Sequence, residues 1–86
     1  MTRTVRARRF DANQRPRGQC LIDLEWRGRT IVAVTHQERR YLPTGRTATR
    51  PTGESVIELM ARYYFVERLW LSTDGTALWE QQPLAL

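Results

Sequence analysis

Hydrophobic and polar positions alternate from Cys20 to Trp26, where Cys20, Ile22, Leu24 and Trp26 interleave with Leu21, Asp23 and Glu25. A period of two puts the first set on one face of a strand. Arg27-Gly28 follows, then Arg29 to His36 with Ile31-Val32-Ala33-Val34 at its centre. The pattern predicts a β-hairpin closed by a tight turn at Arg27-Gly28. In that register Leu24 faces Ile31 and Ile22 faces Ala33 on the buried side. Asp23, Glu25, Thr30 and His36 fall on the other.

A second hairpin is predicted near the C-terminus. Leu69 to Thr73 and Thr76 to Glu80 flank Asp74-Gly75, a dipeptide favoured in type I′ turns. Counting outward from the turn, Leu71 pairs with Leu78 and Trp70 with Trp79. Near the N-terminus, Thr4 to Phe10 reads as a strand, with Val5 and Ala7 on one face and Arg6 and Arg8 on the other. Asp11 to Gly18 reads as a loop.

The middle of the chain changes character. Pro43-Thr44-Gly45 recurs as Pro51-Thr52-Gly53, which predicts a long loop from Leu42 to Gly53. Ser55 and Glu58 have the spacing of a capping box, and Glu58 and Arg62 that of a helical ion pair. They predict a short helix over 55–62 that runs into a strand through Tyr63-Tyr64-Phe65-Val66. The expected fold is α+β, mainly β. It is a small twisted antiparallel sheet or partly open barrel of about five strands with one short helix.

Eighty-six residues, 41% of them apolar, suffice for one modest core. The longest mainly apolar run, Val56 to Leu71, is broken by Glu58, Arg62, Glu67 and Arg68, so no transmembrane helix and no membrane partner are expected. No apolar stretch follows the basic N-terminus, as a secretory signal would require. Cys20 is the one cysteine, and a lone thiol fits a reducing cytoplasm.

Charge sharpens this picture. Residues 1–17 hold Arg3, Arg6, Arg8, Arg9, Arg15 and Arg17 against Asp11, a sum of +5, which is the net charge of the whole chain. Residues 18–86 hold eight arginines and eight acids and sum to zero. The sequence therefore divides into a basic arm over 1–17, with the alternative of a first strand, and a neutral body over 18–86. Segregated charge points to a polyanion. The arm is expected to be dispensable for the fold of the body. All fourteen basic residues are Arg, which excludes Schiff-base and P-loop lysine chemistry. A GC-rich genome accounts for this bias, as does selection for bidentate phosphate contacts.

Candidate chemistry beyond the arginines is thin. Cys20 and His36 are single, lie near each other in the predicted hairpin, and point to opposite faces. Cys20 reads as a packing residue and His36 as a surface residue. Asp23 and Glu25 read as the solvent face of a strand, with Arg6 and Arg8 as their rivals for pairing. No catalytic residue, metal site or cofactor is expected. The leading reading is a small non-enzymatic accessory protein of bacterial or phage type. It would contact a DNA or RNA phosphate backbone through Arg3, Arg6, Arg8, Arg9, Arg15 and Arg17, with Arg46 and Arg50 as a second contact. The alternatives are an inhibitor or adaptor docking on an acidic protein surface, and an assembly subunit whose basic arm binds a neighbouring subunit, as in a homo-oligomer, or a packaged polymer.

Overall fold

A computed structural model describes residues 1–80. Seven strands follow one another in chain order: β1 (Thr2–Phe10), β2 (Pro16–Arg27), β3 (Thr30–His36), β4 (Arg39–Thr49), β5 (Ser55–Arg62), β6 (Val66–Ser72) and β7 (Ala77–Trp79). Each pairs antiparallel with the next, and β7 returns to β1 in parallel, closing a barrel. The mainly-β class agrees with the sequence. The expected helix is absent among the described residues, and the sheet is a closed seven-stranded barrel where a partly open five-stranded one was expected.

The two additional strands lie where a loop and a helix were predicted. Residues 55–62 form β5 because both of its faces are covered. Leu59 and Ala61 point into the barrel, while Val56 and Glu58 are buried on the outside. A strand buried on both faces loses its period-two signature and cannot be told from a helix by pattern. The Glu58 carboxylate does not cap a helix. It accepts from Thr44 Oγ1 at 2.7 Å and from Arg46 Nη1 at 3.2 Å.

Those partners explain the predicted loop. Pro43-Thr44-Gly45 is a bulge inside β4, where the register against β5 shifts between Pro43 and Thr47. Gly45 has φ of 92°, and the extra residues turn Thr44 and Arg46 onto Glu58. Pro and Gly are tolerated at such bulges because no ladder bond is needed there. The chain reverses only at 50–54, where the Arg50 amide donates to the Glu54 carbonyl at 2.8 Å.

Both predicted hairpins form. The second has the predicted register, with Trp70 opposite Trp79 and Leu71 opposite Leu78. Its turn differs from type I′: Gly75 alone has positive φ, and Asp74 Oδ1 accepts from Ser72 Oγ, the Thr76 amide and Thr76 Oγ1. The first hairpin turns at Gly28-Arg29, one residue later than predicted, because Gly28 takes φ of 62° at the leading turn position. A bulge after Glu25 then sets Leu24 against Val34 and Glu25 against Ala33.

The barrel interior is filled by Ile22, Leu24, Val34, Leu59, Leu71 and their neighbours. A second cluster lies on the outer wall, where Val56, Trp70, Ala77 and Trp79 pack with Phe10 and Ala48. The Phe10 and Trp79 rings stack with centroids 5.2 Å apart and planes 12° apart. Trp79 has a register partner on each side, Trp70 on β6 and Phe10 on β1, and its ring stacks on Phe10.

The turn between β3 and β4 is strained. Gln37 and Glu38 both have positive φ, 51° and 64°, a conformation that costs a non-glycine residue about 1–2 kcal/mol. Glu38→Gly is expected to raise stability by about 1 kcal/mol, a balance of relieved strain against chain entropy. A rise in the thermal midpoint checks this, and a fall would show that the turn is relaxed.

Candidate functional site

β1 carries the basic residues in two directions. Val5 and Ala7 pack inward, whereas Arg6 and Arg8 point outward, as their alternation predicts. Across the pair, Arg6 lies opposite Leu21 and Arg8 opposite Gln19. Arg6, Gln19, Cys20 and Leu21 line a shallow depression there. The neighbouring carboxylates are engaged elsewhere: Asp23 accepts from Thr4 Oγ1 at 2.6 Å, and Glu25 pairs with Arg40. The internal pairing of Arg6 and Arg8 with Asp23 and Glu25 is thus not made. Among the described residues, Arg3, Arg6, Arg8 and Arg15 are exposed and have no carboxylate within ion-pair distance.

The remaining candidate arginines are held by the fold. Arg17 Nε donates to Asp11 Oδ2 at 2.8 Å, and Asp11 Oδ1 also accepts from the Asn13 and Arg15 amides. These bonds, led by the one from the Arg15 amide, hold the Asp11 carboxyl below its usual range and organise the β1–β2 loop. Arg9 Nε donates to Glu80 Oε1 at 2.7 Å. Arg46 pairs with Glu58, and Arg50 with Glu54. The Arg50 guanidinium also lies 4.6 Å from the Trp79 ring centre, and that of Arg46 lies 5.9 Å from the Trp70 ring centre. Arg8 approaches the same cluster, 5.8 Å from Phe10. The structure therefore gathers Arg8, Arg46 and Arg50 around the outer aromatic cluster. Arg3, Arg6 and Arg15 stand apart from it.

A second constellation escaped the sequence reading. One end of the barrel holds a cavity of about 300 Å³ lined by Arg9, Ala12, His36, Gln37, Glu67, Leu69 and Glu80. His36 is only 5% exposed, so its expected surface position is corrected. The shifted register turns it inward, on the side of Cys20 and Ile22, and its ring lies 6.4 Å from that of Tyr41. Its Nδ1 has no hydrogen-bond partner among the described residues. Cys20 is half-buried against the interior cluster, as its packing role requires, and burial pushes its thiol up.

Glu67 is the hub of this end. It accepts from the Tyr63 hydroxyl and lies 3.9 Å from Arg39, whose guanidinium sits 4.4 Å from the Tyr63 ring centre. Burial, reinforced by Glu67, raises the Tyr41 phenol far above its ordinary value. The sequence did hold a signal for this site. Glu67 shares its strand face with Leu69 and Leu71, and Arg9 shares its face with Val5 and Ala7. A charged residue on a core face marks a polar site inside the wall.

Burial, with Arg9 nearby, also depresses the His36 imidazole below its usual 6.5. The unfolded chain therefore takes up a proton near pH 6.5 that the folded chain refuses. Stability is full above that pH and falls as the pH drops toward the folded value. Urea midpoints are expected to decline between pH 7.5 and 5, and His36→Gln is expected to flatten the decline. A wild-type midpoint constant over that interval would show that His36 titrates freely.

Among the described residues no cluster of three His, Cys, Asp or Glu side chains is arranged to hold a metal ion. None of them forms a helix long and apolar enough to cross a membrane. The chain matches no family model, no curated protein and no solved structure.

Proposed function

We propose that this protein binds a nucleic-acid phosphate backbone as a non-enzymatic accessory protein, through the outer face of the β1–β2 ribbon. The observation that carries this reading is the set of uncompensated arginines. Among the described residues, Arg6 and Arg8 on that face, with Arg15 on the adjoining loop and Arg3 near the start of β1, have no carboxylate within ion-pair distance, while Arg9, Arg17, Arg46 and Arg50 are spent on internal pairs. Arg6 and Arg8 are two residues apart on one strand face, so the rigid wall presents them about 7 Å apart. A preorganised cationic ribbon loses less entropy on binding than a flexible arm does. Phosphate contacts of this kind release counterions and make affinity fall steeply with salt.

The double substitution Arg6→Gln/Arg8→Gln tests this while leaving the barrel wall intact. Binding to a short DNA or RNA oligonucleotide is expected to weaken. The slope of log affinity against log salt should shrink by about 1.4–1.8, from two lost phosphate contacts. An unchanged affinity and slope would rule the ribbon out.

The second reading, docking on an acidic protein surface, draws on another region. At the β5–β6 tip Tyr64 is fully exposed, Phe65 and Val66 are largely so, and Arg62 beside them is unpaired among the described residues. Loss of protein capture on Tyr64→Ser/Phe65→Ser, with oligonucleotide affinity unchanged, would favour it.

A further inference from the structure

We propose that the cavity at the end of the barrel receives a single nucleobase bearing an amino group, so that the ribbon holds phosphates while the barrel end reads a base. This rests on the nucleic-acid reading above and adds a site to it.

Three observations converge. The first is an unmet polar group: His36 is 95% buried, lines the cavity, and leaves Nδ1 without a partner among the described residues. A buried polar atom left unpaired needs an explanation, and a ligand or a water is the usual one. The second is charge balance. Arg9 pairs with Glu80, and Arg39, just outside the lining, lies 3.9 Å from Glu67, so each of the two carboxylates that line the cavity is offset by an arginine. A free phosphate or an ammonium ion gains little there, whereas a neutral ligand with donors and acceptors on one edge gains most. The third is geometry. About 300 Å³ is room for one planar heterocycle, with Leu69 and Ala12 supplying apolar contact. The strained Gln37 backbone brings a side-chain amide to the same rim.

The lining also selects among bases. Glu67 and Glu80 accept hydrogen bonds and favour edges with an exocyclic amino group, as on guanine, cytosine or adenine. Uracil offers two carbonyls and one N–H, and would set its oxygens against the carboxylates. Arg15 and Arg17 lie on the loop and strand start next to this end, since β1 finishes and β2 begins there. A strand running along the ribbon therefore passes the opening.

Titration of the full chain with guanosine, cytidine, adenosine and uridine, followed by the His36 imidazole resonance and the amides of Gln37 and Glu67, tests the proposal. The amino-bearing nucleosides are expected to shift these resonances, and uridine is expected to bind about tenfold more weakly, the worth of one well-made hydrogen bond. Glu67→Gln should reduce that preference, and the Arg6→Gln/Arg8→Gln protein should bind nucleosides as the wild type does. Resonances unmoved by any nucleoside would mean that water alone fills the cavity and would overturn the proposal, even where oligonucleotides still bind with a steep salt dependence. Equal affinity for uridine would overturn the reading by amino edge. Nucleosides bound normally, with no oligonucleotide binding at any salt concentration, would sink the ribbon proposal and leave the base site standing. The wild-type titration decides the matter even if a cavity variant fails to fold.

Discussion

Deleting residues 1–10 is expected to abolish cooperative unfolding altogether. The charge pattern sets this segment apart as a dispensable arm, but the structure builds it into the wall. Ala7 is completely buried, and β1 is hydrogen-bonded to β2 along one edge and to β7 along the other. The Arg8 amide donates to the Thr76 carbonyl at 2.8 Å, and the Glu80 amide to the Phe10 carbonyl at 3.2 Å. Without β1 the three-residue β7 has only β6 to hold it, and two sheet edges open to water. The loss exceeds what a domain with about 5–10 kcal/mol of stability can absorb. Circular dichroism melts of the truncated chain would check this. A sigmoidal melt near the wild-type midpoint would show that the barrel closes without β1. The expectation also dictates how the nucleic-acid proposal is tested, because truncation removes the fold along with the charge.

Trp79→Ala is expected to cost about 3–5 kcal/mol, as large-to-small changes at fully buried aromatics do. Trp79 is fully buried on the outer wall, stacked on Phe10 and roofed by the Arg50 guanidinium. Its removal opens a cavity between β7, β1 and the end of β4, three segments far apart in sequence. Phe10→Ala should cost less than Trp79→Ala. The double variant should cost less than the sum of the two, because the rings are in contact. Denaturant midpoints with unchanged slope would measure this. A loss under about 1 kcal/mol for Trp79→Ala would mean that the outer cluster collapses to fill the space, or adds little to stability.

The elements that were legible in the chain are the local ones. Alternation from Cys20 to Trp26 located β2, and Asp74-Gly75 set the pairing of Trp70 with Trp79 although the turn belongs to another class. In a hairpin the partner residues are near in sequence, so a turn placed correctly, as at Asp74-Gly75, pairs them by period two where no bulge intervenes. The inward and outward faces of β1 were legible for the same reason. So was the uncompensated charge of the N-terminal segment, which is a matter of counting.

Only the tertiary structure decided the rest. Ser55 to Arg62 has the capping and ion-pair spacing of a helix, and it becomes a strand because β4 and β6 bond both of its edges while the barrel interior and the outer cluster cover both of its faces. A one-residue shift in turn position, with a bulge after Glu25, took His36 from the surface into the barrel end. There Arg9, Glu67 and Glu80 arrive from β1, β6 and the end of β7. Composition and spacing report on neighbours along the chain. Pairing and burial override local preference at β5, and the parallel pairing of β7 with β1 joins the two ends of the sheet and assembles a cavity that no short stretch of sequence contains.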